Sequence, residues 1–295
     1  MNGVVVIDKP GGMTSADVVA RVKRILRADR VGHTGTLDPM ATGVLPVAVG
    51  EGTKLAPFLL ADDKEYEGEL ELGLSTTTLD IEGQVTGRAD PSAVTREALA
   101  AAVAAWVGAR EQVPPMVSAL KHEGQRLHAL ARKGIEVERA ARPIVVARWN
   151  LLEVALPRAR FVVACSKGTY VRALTRDVGE ALGCGATLTA LRRTRAGRFG
   201  LADALPLADL TRDRATARLV PPDIAVAHLL SLVVDEDGAR AVKFGQPLVA
   251  PAGAEEGSLV RIMTPSGALA AVAQSEKGRL TYLRVFNYGL TREGG

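Results

Sequence analysis

The chain has few of the residues that disulfide frameworks and metal sites require. It contains two cysteines, Cys165 and Cys184, which lie in apolar or glycine-rich settings and form no CxxC pair. This pattern excludes a disulfide framework and indicates a reducing compartment. The four histidines show no metal-ligand spacing with one another, so we expect no metal site.

Long apolar runs are also missing, although 47% of the residues are hydrophobic. No run approaches the roughly 20 residues that a membrane helix needs. Neither a basic region nor a signal-cleavage site accompanies the apolar residues 4–7. We therefore expect a cytoplasmic protein without membrane contact, and the 295 residues suffice for one large domain and one small one.

Several common catalytic motifs are absent as well. The sequence has no GxxxxGK[ST] loop, no HExxH pair and no GxSxG turn. Nucleotide-phosphate binding, zinc-protease chemistry and serine-hydrolase chemistry are therefore not expected. The segment Gly183-Cys184-Gly185 lacks the third glycine of a dinucleotide-binding fingerprint, so no dinucleotide cofactor is predicted.

The most informative segment is residues 32–46, where a single acidic side chain, Asp38, lies among three glycines and two prolines. Gly32, Gly35 and Gly43 can adopt backbone conformations that other residues avoid, and Pro39 disfavours helical geometry at Asp38. The pattern predicts a rigid loop that fixes the direction of one carboxylate. Taken alone, an Asp-Pro pair beside glycine is equally typical of an ordinary turn.

Hydrophobic periodicity predicts the elements around this loop. A short strand over Val4–Ile7 is followed by a helix that begins at Thr14, with Asp17 completing a capping box, and that ends near Arg30. Strands are predicted over 44–49, 66–74 and 161–165, helices over 95–107 and after Thr169, and a loop over 75–90.

Two of these elements carry residues of chemical interest. Tyr66 alternates with glutamates on its strand, so its ring is expected to face the core, where the hydroxyl needs a partner. Thr169 is predicted as the N-cap of its helix. Arg172 then falls in the first helical turn, where the macrodipole disfavours a cation by roughly 0.3 to 1 kcal/mol.

Basic charge is concentrated in one part of the chain. The net charge is +4, but residues 110–198 contain 17 Lys and Arg against 7 Asp and Glu. Such a concentration is typical of a surface that binds a phosphate backbone, although scattered surface arginines would give the same count. The cluster Arg192-Arg193-Thr194-Arg195 is accordingly predicted as a phosphate contact, or alternatively as a solvated turn.

The segment from His33 to Pro46 closely resembles the catalytic loop G-H-x-G-x-L-D-P of the TruB-type tRNA pseudouridine synthases. The resemblance continues over roughly residues 3 to 290, through further motifs in the order of that family: Asp8-Lys9-Pro10, Lys64-Glu65-Tyr66, Ser118-Ala119-Leu120-Lys121, Cys165-Ser166-Lys167-Gly168-Thr169-Tyr170-Val171-Arg172, Gly183-Cys184-Gly185-Ala186 and Leu191-Arg192-Arg193.

The resemblance implies a function and a set of site residues. It implies isomerisation of uridine 55 in the T arm of tRNA to pseudouridine, without a cofactor or metal. Asp38 would act as the nucleophile, Tyr66 would stack on the target uracil, and Arg172 would form a salt bridge with Asp38. The implied substrate-binding residues are His33, which would fill the gap left by the flipped base, and Lys9, Gly35, Thr36, Asp80, Lys167, Tyr170 and Leu191.

Two positions depart from the family pattern. Thr77 occupies a position in the segment 76–83 that is commonly acidic in the family, and His128 stands where the family usually has tyrosine. We expect the His128 departure to alter a packing or RNA-facing contact and to leave the chemistry intact.

The resemblance also implies a mixed α/β (α+β) pseudouridine synthase fold, with a largely antiparallel sheet flanked by helices. We predict a catalytic domain over 1–228 and a small PUA-like β domain over 229–295, in which 230–234, 239–244, 259–263, 269–273 and 282–286 form short elements of a β pattern. That domain is expected to grip RNA; a β domain without an RNA function is the alternative.

The expected partner is the T-arm stem-loop of tRNA, bound by a monomer that needs no obligate protein partner. Two other interpretations remain. The archaeal and eukaryotic relative acts with a guide RNA, but its greater length and partner proteins have no counterpart in this sequence. A non-catalytic RNA-binding or tRNA-folding protein could also keep the fold, although binding alone does not require a carboxylate facing anionic RNA.

Overall fold

The protein was examined as a computed structural model, which describes residues 1–118 and 120–287. The side chains of Lys121, His122 and His128 lie outside the description, as does Ala119. The predictions for His128 and for part of the motif 118–121 therefore lie outside the described residues.

Helices are interspersed with a larger number of strands in the described part of the chain. The helices are α1 (Ser15–Leu26), α2 (Ala56–Leu60), α3 (Arg96–Ala104), α4 (Leu127–Arg132), α5 (Val171–Ala181), α6 (Arg212–Ala217), α7 (Pro222–Ala225) and α8 (Glu236–Lys243). The strands are β1 (Gly3–Lys9), β2 (Val31–His33), β3 (Thr42–Val49), β4 (Lys64–Leu72), β5 (Leu74–Thr76), β6 (Val85–Arg88), β7 (Gly108–Gln112), β8 (Lys121–His122), β9 (Gln125–Arg126), β10 (Arg142–Ala155), β11 (Arg158–Cys165), β12 (Ala186–Ala196), β13 (Phe199–Gly200), β14 (Leu205–Pro206), β15 (Leu230–Val233), β16 (Leu248–Val249), β17 (Leu259–Met263), β18 (Leu269–Glu276) and β19 (Arg279–Val285).

In the described part of the chain, ten strands form one mixed sheet. Its main path runs β14-β1-β3-β12-β4-β11-β10-β7, while β2 pairs with β3 and β13 with β12. The pairs β1/β14 and β3/β12 are parallel, and the other pairs on the path are antiparallel. The predicted mixed, largely antiparallel sheet is thus confirmed, and β12 lies near its centre.

The two faces of this sheet have different coverings. Apolar stripes of α1, α3 and α5 pack on one face and bury residues such as Val22, Leu99 and Leu174. Strand β1 alternates between the faces, because Val5 and Ile7 join that core whereas Val4 and Val6 join a second one. Period-two alternation therefore places apolar groups on both sides of the sheet centre.

Helix α1 begins as the sequence predicts. Thr14 is the N-cap, its hydroxyl accepts the Asp17 amide at 3.1 Å, and its own amide donates to the Asp17 carboxylate at 2.9 Å. This is the expected capping box. The helix ends at Leu26 and not near Arg30, because Arg27 takes a left-handed conformation with φ of 49° that closes the last turn.

The strand predicted over 66–74 is divided in two. Tyr66, Leu70 and Leu72 of β4 face the core as expected, but the chain turns at Gly73, which has φ of 79°. The following residues pair as the hairpin β5/β6. The prediction of a plain loop over 75–90 is therefore wrong, since its two ends pair with each other.

The C-terminal segment contains a second sheet, five-stranded within the described residues, with the order β15-β17-β18-β19-β16. Residues 239–244 were expected as part of a β pattern, but most of them lie in α8. The Asp235 carboxylate accepts the Gly238 amide at 2.8 Å and caps that helix, which explains the difference. The domain boundary at 228/229 stays a prediction.

The two sheets share one apolar core. Val4, Val6 and Phe58 from the first sheet region pack in the same cluster as Met263 and Leu269 from the second. Polar contacts reinforce this junction, because Lys54 donates to the Val285 carbonyl at 2.8 Å and the Asn287 amide donates to Glu51 at 3.1 Å. The second sheet is therefore docked on the first through buried surface.

No helix among the described residues is both long and apolar enough to cross a bilayer.

We predict that Gly43→Ala destabilises the fold by about 1–3 kcal/mol. Gly43 has φ of 99°, and a Cβ there would overlap the backbone oxygen of Arg193 on the neighbouring strand β12. Thermal unfolding would measure the loss. Gly12→Ala is the matched control, because Gly12 also has positive φ, at 76°, but a Cβ there meets nothing within 4 Å. Equal losses in the two variants would contradict the clash.

Candidate active site

A cavity of about 270 Å³ opens where the loop before β3, the start of β4, the start of α5 and the middle of β12 meet. Of the predicted site residues, seven line it: Gly35, Thr36, Asp38, Tyr66, Tyr170, Arg172 and Leu191. Lys9, His33, Asp80 and Lys167 do not line it. Residues separated by more than 150 positions in sequence therefore meet in one place, as the resemblance implies.

The loop that carries Asp38 is held from below by Lys9. This lysine is fully buried, and its ammonium donates to the carbonyls of Pro10 at 2.9 Å, Pro39 at 3.0 Å and Ala41 at 2.7 Å. Burial lowers the pKa of Lys9 to about 8. The three donors of the ammonium are therefore used by protein carbonyls, which supports a positioning function for Lys9, and the expected substrate contact stays a prediction.

Arg193 and Ser15 hold the same loop from two other sides. Arg193 is 1% exposed and donates to the carbonyls of Val44 at 2.7 Å and Gly35 at 3.2 Å. The Ser15 hydroxyl donates to the Leu37 carbonyl at 3.1 Å and accepts its amide at 2.8 Å. Each carbonyl or amide bonded in this way fixes one peptide plane, so the direction of Asp38 is set by three buried side chains.

Two of the three loop glycines use their conformational freedom. Gly35 has φ of 140° and Gly43 has φ of 99°, whereas Gly32 has no positive φ and lies in the short strand β2. The expectation for Gly32 was wrong, because β2 pairs with β3 and holds it in extended geometry.

Asp38 and Arg172 form a bidentate ion pair. The Arg172 Nε donates to Asp38 Oδ2 at 2.8 Å and its Nη2 donates to Oδ1 at 3.2 Å. The arginine side chain is 3% exposed, and that of the aspartate is 33% exposed, toward the cavity. A guanidinium fork of this kind orients a carboxylate as well as stabilising its charge.

The remaining donors of Arg172 are also bonded to protein. Nη1 donates to the Thr78 carbonyl at 2.6 Å and lies 3.4 Å from Asp80 Oδ2, and Nη2 donates to the Val117 carbonyl at 3.0 Å. Asp80 is itself held by the Thr78 hydroxyl and the Glu82 amide. All three nitrogens of the guanidinium thus bond to protein acceptors, which disfavours a further bond to RNA phosphate.

Burial raises the pKa of Asp38 above that of an ordinary aspartate, and the nearby charge of Asp80 adds to this shift. The Arg172 guanidinium opposes it by attraction and hydrogen bonding, with a smaller contribution from Lys9. A carboxyl group whose pKa is shifted by burial and by specific charged neighbours, and which faces a cavity, is typical of a group with a chemical function.

Tyr66 lies fully in the wall of the cavity, as its strand pattern predicts. Burial raises its pKa, while the Arg193 charge and a hydrogen bond from that residue act in the opposite direction. Arg193 is the direct neighbour of Tyr66 across β4/β12 and of Gly43 across β3/β12. The partner that the buried hydroxyl requires is therefore supplied by the next strand.

Tyr170 is positioned through its backbone. The Gln112 carboxamide accepts the Tyr170 amide at 2.9 Å and donates to the Tyr170 carbonyl at 3.1 Å. Tyr170, and not Thr169, is the N-cap of α5, and the Tyr170 side chain itself makes no capping bond. The prediction of Thr169 as N-cap was wrong by one residue, because Gln112 from β7 satisfies the free amide in its place.

The remaining predicted contacts lie around the cavity. His33, on β2, accepts the Gly35 amide through Nδ1 at 3.4 Å, and burial together with the Arg193 charge lowers its pKa. Lys167 is exposed beside the cavity-lining Gly168. Both therefore neighbour residues of the cavity wall without lining it themselves.

The arginine cluster at 192–195 was predicted as a phosphate contact or a solvated turn, and the structure shows a strand instead. Arg192 forms a bidentate pair with Asp8 at 2.8 and 3.1 Å, and Arg193 is buried. Their side chains point to opposite faces of β12 because neighbours alternate along a strand. The composition of the cluster alone does not show that one arginine is buried and its neighbour is not.

Much of the concentrated basic charge forms ion pairs with carboxylates of the protein itself. Within the described residues, arginines of the 110–198 segment pair with carboxylates at Arg139, Arg148, Arg158, Arg160, Arg172, Arg176 and Arg192. Other cations of the same segment are exposed, and no ion pair of theirs occurs in the described part of the chain. They include Arg126, Arg132, Lys133, Arg142 and Lys167. The surface offered to a phosphate backbone is therefore smaller than the count of charges indicates.

Among residues 1–118 and 120–287, no group of three or more His, Cys, Asp and Glu side chains is placed to hold a metal ion.

Comparison with known protein families accounts for this geometry. The model of the TruB family pseudouridylate synthase N-terminal domain matches residues 23–171, and that of the tRNA pseudouridylate synthase B C-terminal domain matches residues 172–226. The chain belongs to the TruB family of pseudouridylate synthases. The join between the two matches falls at Arg172, in the first turn of α5.

Similar proteins extend along most of this TruB-family chain. A protein named tRNA pseudouridine synthase B from Stutzerimonas stutzeri is 44% identical over 293 residues, covering 97% of this chain and 95% of that protein. The protein of the same name from Aromatoleum aromaticum is 48% identical over 265 residues, covering 89% and 85%. That from Clostridium tetani is 44% identical over 245 residues, covering 83% and 85%.

Solved structures of similar chains agree with the fold. A chain in the crystal structure of a Cbf5-Nop10-Gar1 complex is 30% identical with a TM-score of 0.77, covering 96% of this chain and 84% of that one. A chain in the structure of an H/ACA RNP bound to a substrate RNA containing 2′-deoxyuridine is 28% identical with a TM-score of 0.75, covering 97% and 85%.

We predict that the rate of the chemical step falls in acid with a midpoint above the ordinary aspartate value of about 3.9. The pKa of Asp38 is raised, so as pH falls the carboxylate becomes protonated, and loses its charge, before a solvated aspartate would. Single-turnover rates measured against pH would give the midpoint.

Asp80→Asn tests the cause of that shift. The asparagine oxygen can keep the bonds from Thr78 and Glu82, but the charge that raises the pKa of Asp38 is removed. The acid midpoint should then move to lower pH. An unchanged midpoint would mean that Asp80 does not influence Asp38.

Proposed function

We propose that this TruB-family pseudouridine synthase isomerises uridine 55 in the T arm of tRNA to pseudouridine, with Asp38 as nucleophile and the target base flipped into the cavity. One observation carries the proposal. The Asp38 carboxylate faces a cavity of about 270 Å³ while the buried Arg172 fork holds both its oxygens.

The chemistry requires an ionised and oriented carboxylate. The N1–C1′ bond of uridine breaks, the uracil turns, and a C5–C1′ bond forms, without redox change or energy input. Arg172 favours the charged form of Asp38 against the effect of burial. Three first steps are consistent with this arrangement: attack at C1′, attack at C6, and abstraction of the C2′ proton to give a glycal.

The cavity wall suits a flat pyrimidine. Tyr66 and Leu191 line it and offer a ring face and an apolar surface, and stacking of a base on an aromatic ring contributes about 1–3 kcal/mol. Extruding a base costs a few kcal/mol in lost stacking. His33, near the entrance, is the residue we assign to the vacated position in the RNA, with Lys167 and the backbone at Gly35 and Thr36 as further substrate contacts.

The RNA partner follows from charge and from relatives. Exposed cations around the cavity, such as Lys167 and Arg142, suit a phosphate backbone. Relatives at 44–48% identity bear the name tRNA pseudouridine synthase B, so tRNA is the substrate we propose. Action as a monomer, the T-arm site and a gripping function for the second sheet are parts of the same proposal.

A guide-RNA enzyme is the second candidate, since the structural matches come from Cbf5 and H/ACA complexes. Those chains are 28–30% identical to this one, below the 44–48% of the relatives named for tRNA. A purely RNA-binding protein is disfavoured because binding would not require a carboxylate held toward anionic RNA.

The first test is activity on an unmodified tRNA transcript without added RNA or protein. We expect carbodiimide-blocked reverse transcription to stop at position 55 after treatment with wild type and not after treatment with Asp38→Asn. The amide keeps the shape of the side chain but cannot act as the nucleophile. Equal stops from both proteins would exclude Asp38 as the nucleophile, and activity only with an added guide RNA would favour the second candidate.

The second test separates catalysis from binding at Arg172. Because its donors are all bonded to protein, Arg172→Met should lower the single-turnover rate by roughly 10²-fold or more while filter-binding affinity for tRNA changes little. Arg172→Lys keeps the charge without the fork and should be intermediate. Parallel losses of rate and affinity in a folded variant would make Arg172 an RNA contact instead.

A further inference from the structure

Two buried cations other than Arg172 line the same cavity as Asp38. Lys64 is 7% exposed and Arg193 is 1% exposed, and both contribute to the wall beside Tyr66. In the described part of the chain, neither forms an ion pair with a carboxylate. Buried charges in proteins are normally paired, so this pair of cations needs an explanation.

Lys64 is fixed with one donor to spare. Its ammonium donates to the Leu60 carbonyl at 2.8 Å and to the Asp62 carbonyl, which are acceptors at the end of α2. An ammonium has three donors, and among the described residues no acceptor occurs for the third. Because Lys64 is the first residue of β4, two positions before Tyr66, both side chains lie on the same face of the strand.

Arg193 approaches the cavity from the neighbouring strand. Its bonds to Val44 and Gly35 fix the guanidinium plane beneath the catalytic loop, and it pairs in register with Tyr66. Its Nη1 lies at 3.4 Å from the Thr36 carbonyl, a long contact. The guanidinium therefore donates to neutral backbone carbonyls at the cavity wall, and no carboxylate among the described residues neutralises its charge.

The charge balance of the wall is positive as a result. Arg172 is matched by Asp38 and Asp80, whereas Lys64 and Arg193 are matched by carbonyls. An anion bound in the cavity would supply the negative charge that Lys64 and Arg193 lack. A backbone phosphate is a poor occupant, because its two flanking riboses cannot follow it to side chains that are 1% and 7% exposed. In the proposed reaction the flipped uracil enters the cavity that these two side chains line.

We propose that Lys64 and Arg193 stabilise the negative charge that develops on the uracil ring during the isomerisation. The inference rests on the proposed function and assigns a further part of the same site. In the C1′ and glycal routes, the electron pair of the N1–C1′ bond remains on the uracil and spreads to its oxygens. Attack at C6 places the charge on C5 and O4 of the same ring.

The charge disappears again within the reaction. The C5–C1′ bond forms with a pair from the ring. In the two attack routes the bond to Asp38 breaks and its pair returns to the carboxylate, and in the glycal route C2′ regains its proton. C5 loses its proton and N1 gains one, so the product is neutral. A pair of fixed cations that are unpaired by carboxylates suits such a transient charge, since electrostatic stabilisation accelerates a reaction when it is stronger in the transition state than in the ground state.

Burial lowers the pKa of Lys64 to about 8, and the facing charge of Arg193 on β12 acts in the same direction. Asp62 and Asp63 from the preceding loop and Cys165 from β11 act against it. Lys64 therefore loses its proton as pH rises through about 8. Because burial lowers the pKa of Lys9 to about 8 as well, the decisive readout is whether Lys64→Arg moves the alkaline loss of rate.

The experiment compares Lys64→Met, Lys64→Arg and the control Lys23→Met, which removes the same charge from an exposed position on α1. We expect Lys64→Met to lower the single-turnover rate on tRNA by roughly 10²-fold with tRNA affinity and melting temperature near those of Lys23→Met. Wild type should lose rate as pH rises through about 8, and Lys64→Arg should restore much of the rate and shift that loss to higher pH.

Each other outcome overturns the inference. Equal losses of rate and tRNA affinity in Lys64→Met would make Lys64 a phosphate contact. An alkaline loss at the same pH in wild type and Lys64→Arg would belong to another group, such as Lys9 or the RNA, and not to Lys64. Should Lys64→Met fail to fold, the pH profile of Lys64→Arg still decides. An active wild type with an unimpaired Lys64→Met refutes this inference alone, whereas an inactive wild type refutes the proposed function.

Discussion

The architecture of the site depends on buried cations that bind backbone carbonyls. Lys9 holds the carbonyls of Pro39 and Ala41, which follow Asp38, and Arg193 holds those of Gly35 and Val44. A backbone carbonyl lies in the peptide plane and cannot rotate independently of it. A hydrogen bond to the carbonyl therefore fixes the backbone, and these bonds together define the path of the loop. Arg172 is a third buried cation of the site. It differs from Lys9 and Arg193 because it binds a carboxylate, that of Asp38, which faces the cavity.

Local patterns in the sequence were sufficient for the elements that position this site. The capping box at Thr14 and the alternation in β4 depend on neighbours within a few residues, and both are confirmed. The pairing of Asp38 with Arg172 followed from resemblance to a family, because no periodicity connects residues on a loop and a helix that are so distant in sequence. The structure shows the contact, and its catalytic meaning remains part of the proposal.

Features set by distant contacts were missed. The composition around Arg193 resembles that of its neighbour Arg192, yet strand alternation sends one to the core and the other to Asp8 on the surface. Gln112 replaced the expected cap at Thr169 because β7 happens to end beside α5. A motif of charged or glycine-rich residues predicts that a site exists, but tertiary neighbours decide which side chains reach it.

The apolar cluster shared by Val4, Phe58, Met263 and Leu269 has a geometric consequence for any long ligand. Two sheets joined through a common core lie at a fixed distance from each other. A helical nucleic acid that touched both sheets would therefore have to present two contacts at that distance. Selection could then act on the distance between two contacts, a property that neither surface has by itself and that survives wide changes in the bases lying between them.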